Sequence, residues 1–136
     1  MARLMLDTDI CVDVMRGRSP RIRRRLERAA APEEVAISSI VAAELWTGAM
    51  KSRDRAAAAS AVRELLAFVA VLDWPAEAAP VYGDIRAQLE ASGRTIGAMD
   101  LLIAAHAVHE KATLVSRNQS EFRRVAGLKL ASWSGE

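Results

Sequence analysis

The stretch 4-LMLDTDICVDVMRG-17 decides the fold. Leu4, Met5 and Leu6 are a continuous apolar run of the kind that makes a short buried strand. Asp7 is joined directly to that run, Asp9 follows, and Asp13 lies one helical turn further on, within a resumed apolar pattern. Asp9 sits nearer the start of the following helix and is the better candidate for its cap. Asp13 reads as a solvated helix residue. Asp7 is the hardest of the three to explain as a surface residue.

Working outward, the run at 3–7 is the first of five β-type segments, the others being 34–38, 68–73, 113–116 and 128–132. Helical patterns fill the gaps at 9–16, 21–30, 39–51, 54–67, 75–91 and 99–110, with a short one at 120–125. Gly17 and Pro20 split the first two helices. Strands alternating with helices imply an α/β fold, here a three-layer α/β/α sandwich around a mainly parallel five-stranded sheet. No linker, repeat or low-complexity tail divides the chain, so residues 1–136 are expected to form a single domain. In such sheets ligands bind beyond the carboxyl ends of the strands, where strand order reverses. Asp7, Ser38 and the run Ser116-Arg117-Asn118 stand at such ends.

Composition bounds the function. Of the 136 residues 51% are apolar and 4% aromatic, which excludes a disordered chain and suits close-packed, alanine-rich helices. The lone Cys11 permits no intrachain disulfide, as expected of a cytoplasmic protein. No apolar run has membrane-spanning length, and acids arrive too early for a signal peptide. The net charge of +2 is too small to argue for nucleic acid alone.

Two more acids occupy apolar helical settings. Glu44 has Ile40, Val41, Thr47 and Gly48 as neighbours one turn away; Asp100 has Ile96, Gly97, Ile103 and Ala104. A rim carboxylate reaching water explains Glu44 alone, and a first-turn acid favoured by the helix dipole explains Asp100 alone. Asp7, Glu44 and Asp100 together, near helix starts after strands, point to one edge of the sheet. Clustered carboxylates resist ionising together, and a divalent cation resolves the conflict. Hard oxygen donors suit Mg²⁺, with Mn²⁺ possible. Zinc lacks its usual ligand spacing, and His106 and His109 read as core or surface residues.

The fragments "MLDTDI", "AAELWTGA", "GAMDLLIAAHAV" and "TLVSRNQSEF" resemble, in this order and at these separations, the PIN-domain ribonucleases, in particular the VapC toxins of bacterial toxin–antitoxin pairs. The resemblance implies a PIN-like fold and a metal site of Asp7, Glu44 and Asp100, supported by the Thr8 hydroxyl. It implies Mg²⁺-dependent endonucleolytic hydrolysis of RNA leaving a 5′-phosphate and 3′-hydroxyl, inhibition by a VapB-type antitoxin, and a homodimer. The chain departs from the family pattern at Asp9, usually asparagine, and at Ser116, where threonine is common. It departs again where an aspartate commonly precedes a phenylalanine: Glu121 precedes Phe122 here, so either Asn118 or Glu121 completes the site.

RNA needs compensating cations. Arg117 lies beside the proposed site; Arg21, Arg24, Arg25 and Arg28 form a helical stripe opposite Ile22, Leu26 and Ala29; Arg86 is a further candidate. A solvated amphipathic face is the simpler account of the stripe. Trp74 reads as core, and Trp46 as a groove or dimer residue facing away from Glu44. Two other functions compete. "DTD" after a strand also opens haloacid-dehalogenase-like phosphohydrolases, although Cys11 stands where they want threonine, Asp84 after Gly83 lies in a helical pattern and not at the strand end where they want late acids, and Glu44 would have no role. A non-catalytic PIN-fold module binding RNA or protein is the other, favoured by the departures at Asn118 and Glu121.

Overall fold

The structure is a computed structural model that describes residues 3–17, 20–29 and 35–133. The chain runs β1 (Leu4–Leu6), α1 (Thr8–Met15), α2 (Pro20–Ala29), β2 (Val35–Ser38), α3 (Ser39–Met50), α4 (Arg55–Leu66), β3 (Ala70–Leu72), α5 (Ala79–Ala91), α6 (Ala98–Glu110), β4 (Thr113–Val115), α7 (Gln119–Phe122) and β5 (Lys129–Ala131). Each expected strand and helix has its counterpart, with ends displaced by a few residues. The helix expected over 75–91 begins differently: Ala76–Ala78 form a 3₁₀ turn behind Pro75, and α5 starts afresh with Pro80 near its first position. A proline has no N–H to donate and its ring crowds the preceding turn, so a continuous helix through Pro80 is blocked.

The sheet has the order β3-β2-β1-β4-β5. Its pairings are parallel throughout, where the sequence had led us to expect a mainly parallel sheet. Leu4 stands opposite Val35 on one side and Thr113 on the other. The chain steps outward from β1 to β2 and β3, then returns to the far side of β1 to lay down β4 and β5. Strand order therefore reverses between β1 and β4, and a crevice opens beyond their carboxyl ends.

Parallel strands need apolar side chains on both faces because helices cover both. Val35, Ala36 and Ile37 of β2 and Met5 and Leu6 of β1 are accordingly buried. Ile10, Cys11 and Val14 of α1 and Ile22 and Leu26 of α2 pack into the same core. The Cys11 thiol is wholly enclosed, and burial raises it far above the ordinary thiol range, aided by the nearby charges of Asp7 and Asp9. Among the described residues no helix is long and apolar enough to cross a membrane.

Candidate active site at the reversal of strand order

Asp7 leaves β1 while its main chain is still bound to β4, its N–H donating to the Val115 carbonyl at 2.9 Å. Its extended backbone makes it the N-cap of α1: Oδ1 accepts from the Thr8 N–H at 2.8 Å. The cap thus falls to Asp7, not to Asp9 as the sequence suggested, because the helix starts one residue earlier and leaves Asp9 inside its first turn. The Ser116 hydroxyl, at the end of β4, donates to Asp7 Oδ2 at 2.7 Å. Neighbouring parallel strands therefore aim an acid and its hydroxyl partner into the same crevice.

Thr8 turns the other way, and its hydroxyl donates to Glu44 Oε1 at 2.6 Å, which ties α1 to α3. Asp100 enters from the first turn of α6 and faces Glu121, Glu44 and Asp9. Glu121 is the acid that contributes most, after burial, to raising Asp100. Asn118 plays a separate part: its amide donates to Glu121 Oε2 at 3.1 Å, and its N–H donates to Ser116 Oγ at 2.9 Å. Asp9 accepts the Arg117 N–H on Oδ2 at 3.1 Å, while its Oδ1 is buried without a partner among the described residues.

Burial and like charge set the electrostatics. Asp7 is pushed up to about 7, first by burial and then by Asp9 and Asp100, against the Ser116 and Thr8 hydrogen bonds. Asp100 is pushed up to about 6 by burial and by Glu121, Glu44 and Asp9. Asp9 is raised by burial, opposed by the N–H and charge of Arg117. A set of carboxylates that resists losing its protons, with one oxygen left unpaired, fits a hard divalent cation. Among the described residues, no group of three or more His, Cys, Asp or Glu side chains is arranged so that it could hold a metal ion as it stands.

The arginines divide. Asp13 is not solvated as expected: only 5% of its surface is exposed, and its Oδ2 pairs with Arg117 Nε at 3.0 Å. Its partner comes from the β4–α7 loop, which packs over α1 because β4 and β1 are neighbours. Arg86 is engaged along α5, donating to Glu90 at 2.8 Å and to Tyr82 at 2.9 Å. Arg21, Arg24 and Arg28 project from the exposed face of α2, and the Arg25 guanidinium lies 5.2 Å from the Trp133 ring centre. Asp84, needed by the phosphohydrolase alternative, is exposed on α5 and accepts from Gln88 at 3.1 Å.

Two supports were not read from the sequence. His106 is fully buried, kept neutral by burial, and meets Ser38 Oγ through Nδ1 at 2.8 Å. Trp74 donates its indole N–H to the Leu102 carbonyl at 2.9 Å. Both contacts fix α6, and α6 carries Asp100. Beside Glu44 runs a groove of about 230 Å³ between α1, α3 and α4, lined by Val12, Met15, Leu45, Ala49, Ala58 and Ala61. Trp46 is half-buried on α3 with the Arg63 guanidinium 5.5 Å from its ring centre.

Known proteins share this arrangement of sequence and fold. Residues 4–128 match the model of the PIN domain. The chain is 41% identical over 129 residues to "Ribonuclease VapC2" of Rickettsia felis, covering 95% of this chain and 96% of that protein. It is 35% identical over 134 residues to the "tRNA(fMet)-specific endonuclease VapC" of Shigella flexneri, covering 98% and 100%. In the crystal structure of VapBC2 from Rickettsia felis bound to a promoter DNA fragment, one chain superposes with a TM-score of 0.92 at 40% identity, covering 96% of this chain and 98% of that one.

Proposed function

Because this chain belongs to the PIN-domain family, as a VapC-type member, we propose that it is an endoribonuclease toxin that hydrolyses RNA phosphodiester bonds with Mg²⁺, or Mn²⁺ in its place. The observation that carries this reading is the crowding of Asp7, Glu44 and Asp100, with Asp9 and Glu121, at the reversal of strand order between β1 and β4. Asp7, Glu44 and Asp100 would hold the ion, with Glu121 as an outer carboxylate. A bound divalent cation would supply activation of a water and neutralisation of charge on the phosphate.

The chain's own residues do the rest. Ser116 and the Thr8 N–H fix both oxygens of Asp7, so its orientation is set before any ligand arrives. Thr8 holds Glu44, and Asn118 holds Glu121, each through one hydrogen bond. Burial and the charges of Glu121, Glu44 and Asp9 hold the Asp100 carboxyl up, and positive charge entering the site would oppose that shift. Arg117 stands at the rim as the best placed cation for an RNA phosphate.

Relatives in solved structures are VapBC complexes, and we propose a VapB-type antitoxin as partner here too. The groove beside Glu44 offers its apolar segment a seat next to the acids. A homodimer, a cytoplasmic location and a single domain over 1–136 complete the proposal. The first substrate to try is tRNA(fMet), named for the relatives from Shigella flexneri and Salmonella typhimurium.

The test is end-mapping of total RNA incubated with the purified chain in Mg²⁺, alongside EDTA and Asp7→Ala controls. Discrete 5′-phosphate ends that vanish in both controls are expected. An Asp7→Ala chain that cuts at the wild-type rate would overturn the assignment.

A further inference from the structure

Asp13 is a carboxylate in a place where stability does not ask for one. Its side chain is 8% exposed on the inner side of α1, close to Val14 and Ile10 in sequence and among core residues. Burying a carboxylate is costly unless it is paired, so Asp13 calls for an explanation. Arg117 supplies it. Its backbone N–H donates to Asp9 Oδ2 at 3.1 Å and its Nε forms an ion pair with Asp13 Oδ2 at 3.0 Å, so this one residue spans two acids one helical turn apart. The Arg117 side chain is 46% exposed, and its contact to Asp13 is made through Nε, the inner nitrogen of the guanidinium. A guanidinium held by Nε keeps a pair of parallel donors for a phosphate and has little freedom left to lose on binding. Its neighbour Ser116 is the residue that holds Asp7.

We propose that Asp13 is a positioning residue for RNA: through Nε of Arg117 it fixes a two-pronged phosphate donor at the rim of the acid cluster. The inference rests on the ribonuclease reading above and deepens it. It also makes a prediction opposite in sign to simple electrostatics. Losing a negative charge at residue 13 should strengthen attraction to RNA; losing a positioning residue should weaken it.

Two measurements test this on the full chain: anisotropy of fluorescein-labelled tRNA in EDTA across a salt series, and the split of kcat and KM for cutting in Mg²⁺. Asp13→Asn is expected to weaken binding about tenfold, to lower the salt slope by about one, and to leave kcat within about twofold. Arg117→Gln should weaken binding and lower the salt slope to the same extent, and the double variant should bind no worse than either alone. Arg117→Lys, at a half-exposed position that does not threaten folding, should fall with them, because its single ammonium is consumed by Asp13. Unchanged or tighter binding by Asp13→Asn, wild-type binding by Arg117→Lys, or losses that multiply in the double variant would overturn the proposal. A wild-type chain that binds RNA in this pattern but never cuts it would sink the ribonuclease reading and leave the positioning role standing.

Discussion

Ser38 and Ser116 end the two strands that flank β1, and both are fully buried. Each binds a buried titratable side chain from another element. Ser38 accepts the Ile40 N–H at 3.1 Å as the cap of α3 and meets the Nδ1 of a neutral His106. Ser116 accepts the Asn118 N–H and donates to Asp7, a carboxyl whose other neighbours include more acids. The same local device, a serine after a buried strand, closes a structural joint on one side of β1 and holds an electrostatic conflict open on the other. The lesson is that a buried hydroxyl does not announce its role; the net charge it faces does.

The sharpest way to break this comparison is to remove both hydroxyls. Ser116→Ala is expected to slow RNA cutting about 10–100-fold with little change in melting temperature, since it frees a ligand's orientation. Ser38→Ala is expected to do the reverse, costing about 1–2 kcal/mol in urea unfolding through the lost cap and the unpaired His106 nitrogen, with cutting nearly intact. Equal effects on cutting would erase the distinction.

A smaller effect lies in pH. Asp7 binds its proton more tightly in the folded chain, about 7, than in the unfolded one, 3.8. Without metal, its contribution to stability therefore falls as pH climbs from about 4 through 7. If Asp7 holds Mg²⁺ as proposed, the ion competes with that proton, so thermal shifts on adding it should grow with pH, from near zero at pH 5 to about 5 °C at pH 8. A shift that is flat across this range would remove Asp7 from the ion's ligands.

The smallest effect belongs to Asp9→Asn. It removes one charge raising Asp7 and Asp100, so the acid limb of the pH–rate profile should move to lower pH, with the rate at pH 8 changed less than about threefold. An unmoved limb would show that Asp9 does not act on the cluster.

Much of the site was legible because its acids offend their surroundings. Glu44 and Asp100 fall among apolar helical neighbours, and Asp7 adjoins a buried strand, so each demanded an explanation from local sequence alone. What stayed hidden depends on contacts between distant segments. Asp13 looks like any polar helix residue until β4 pairs with β1 and swings Arg117 over it. Its spacing of one helical turn from Asp9 was the available signal. The cap was misassigned because Asp7 and Asp9 are chemically identical, and only the backbone conformation at residue 7 separates them. The break before α5 was missed because the helix was read from Pro75 straight through Pro80.

Cys11 carries one more consequence. It is enclosed in α1 between the helix's acids, and its thiol is held in the unreactive form. An alkylating reagent therefore modifies the chain only in the moments when α1 parts from the sheet. The labelling rate of this single thiol is a native stopwatch for opening of the element that presents Asp7, and it needs no engineered cysteine.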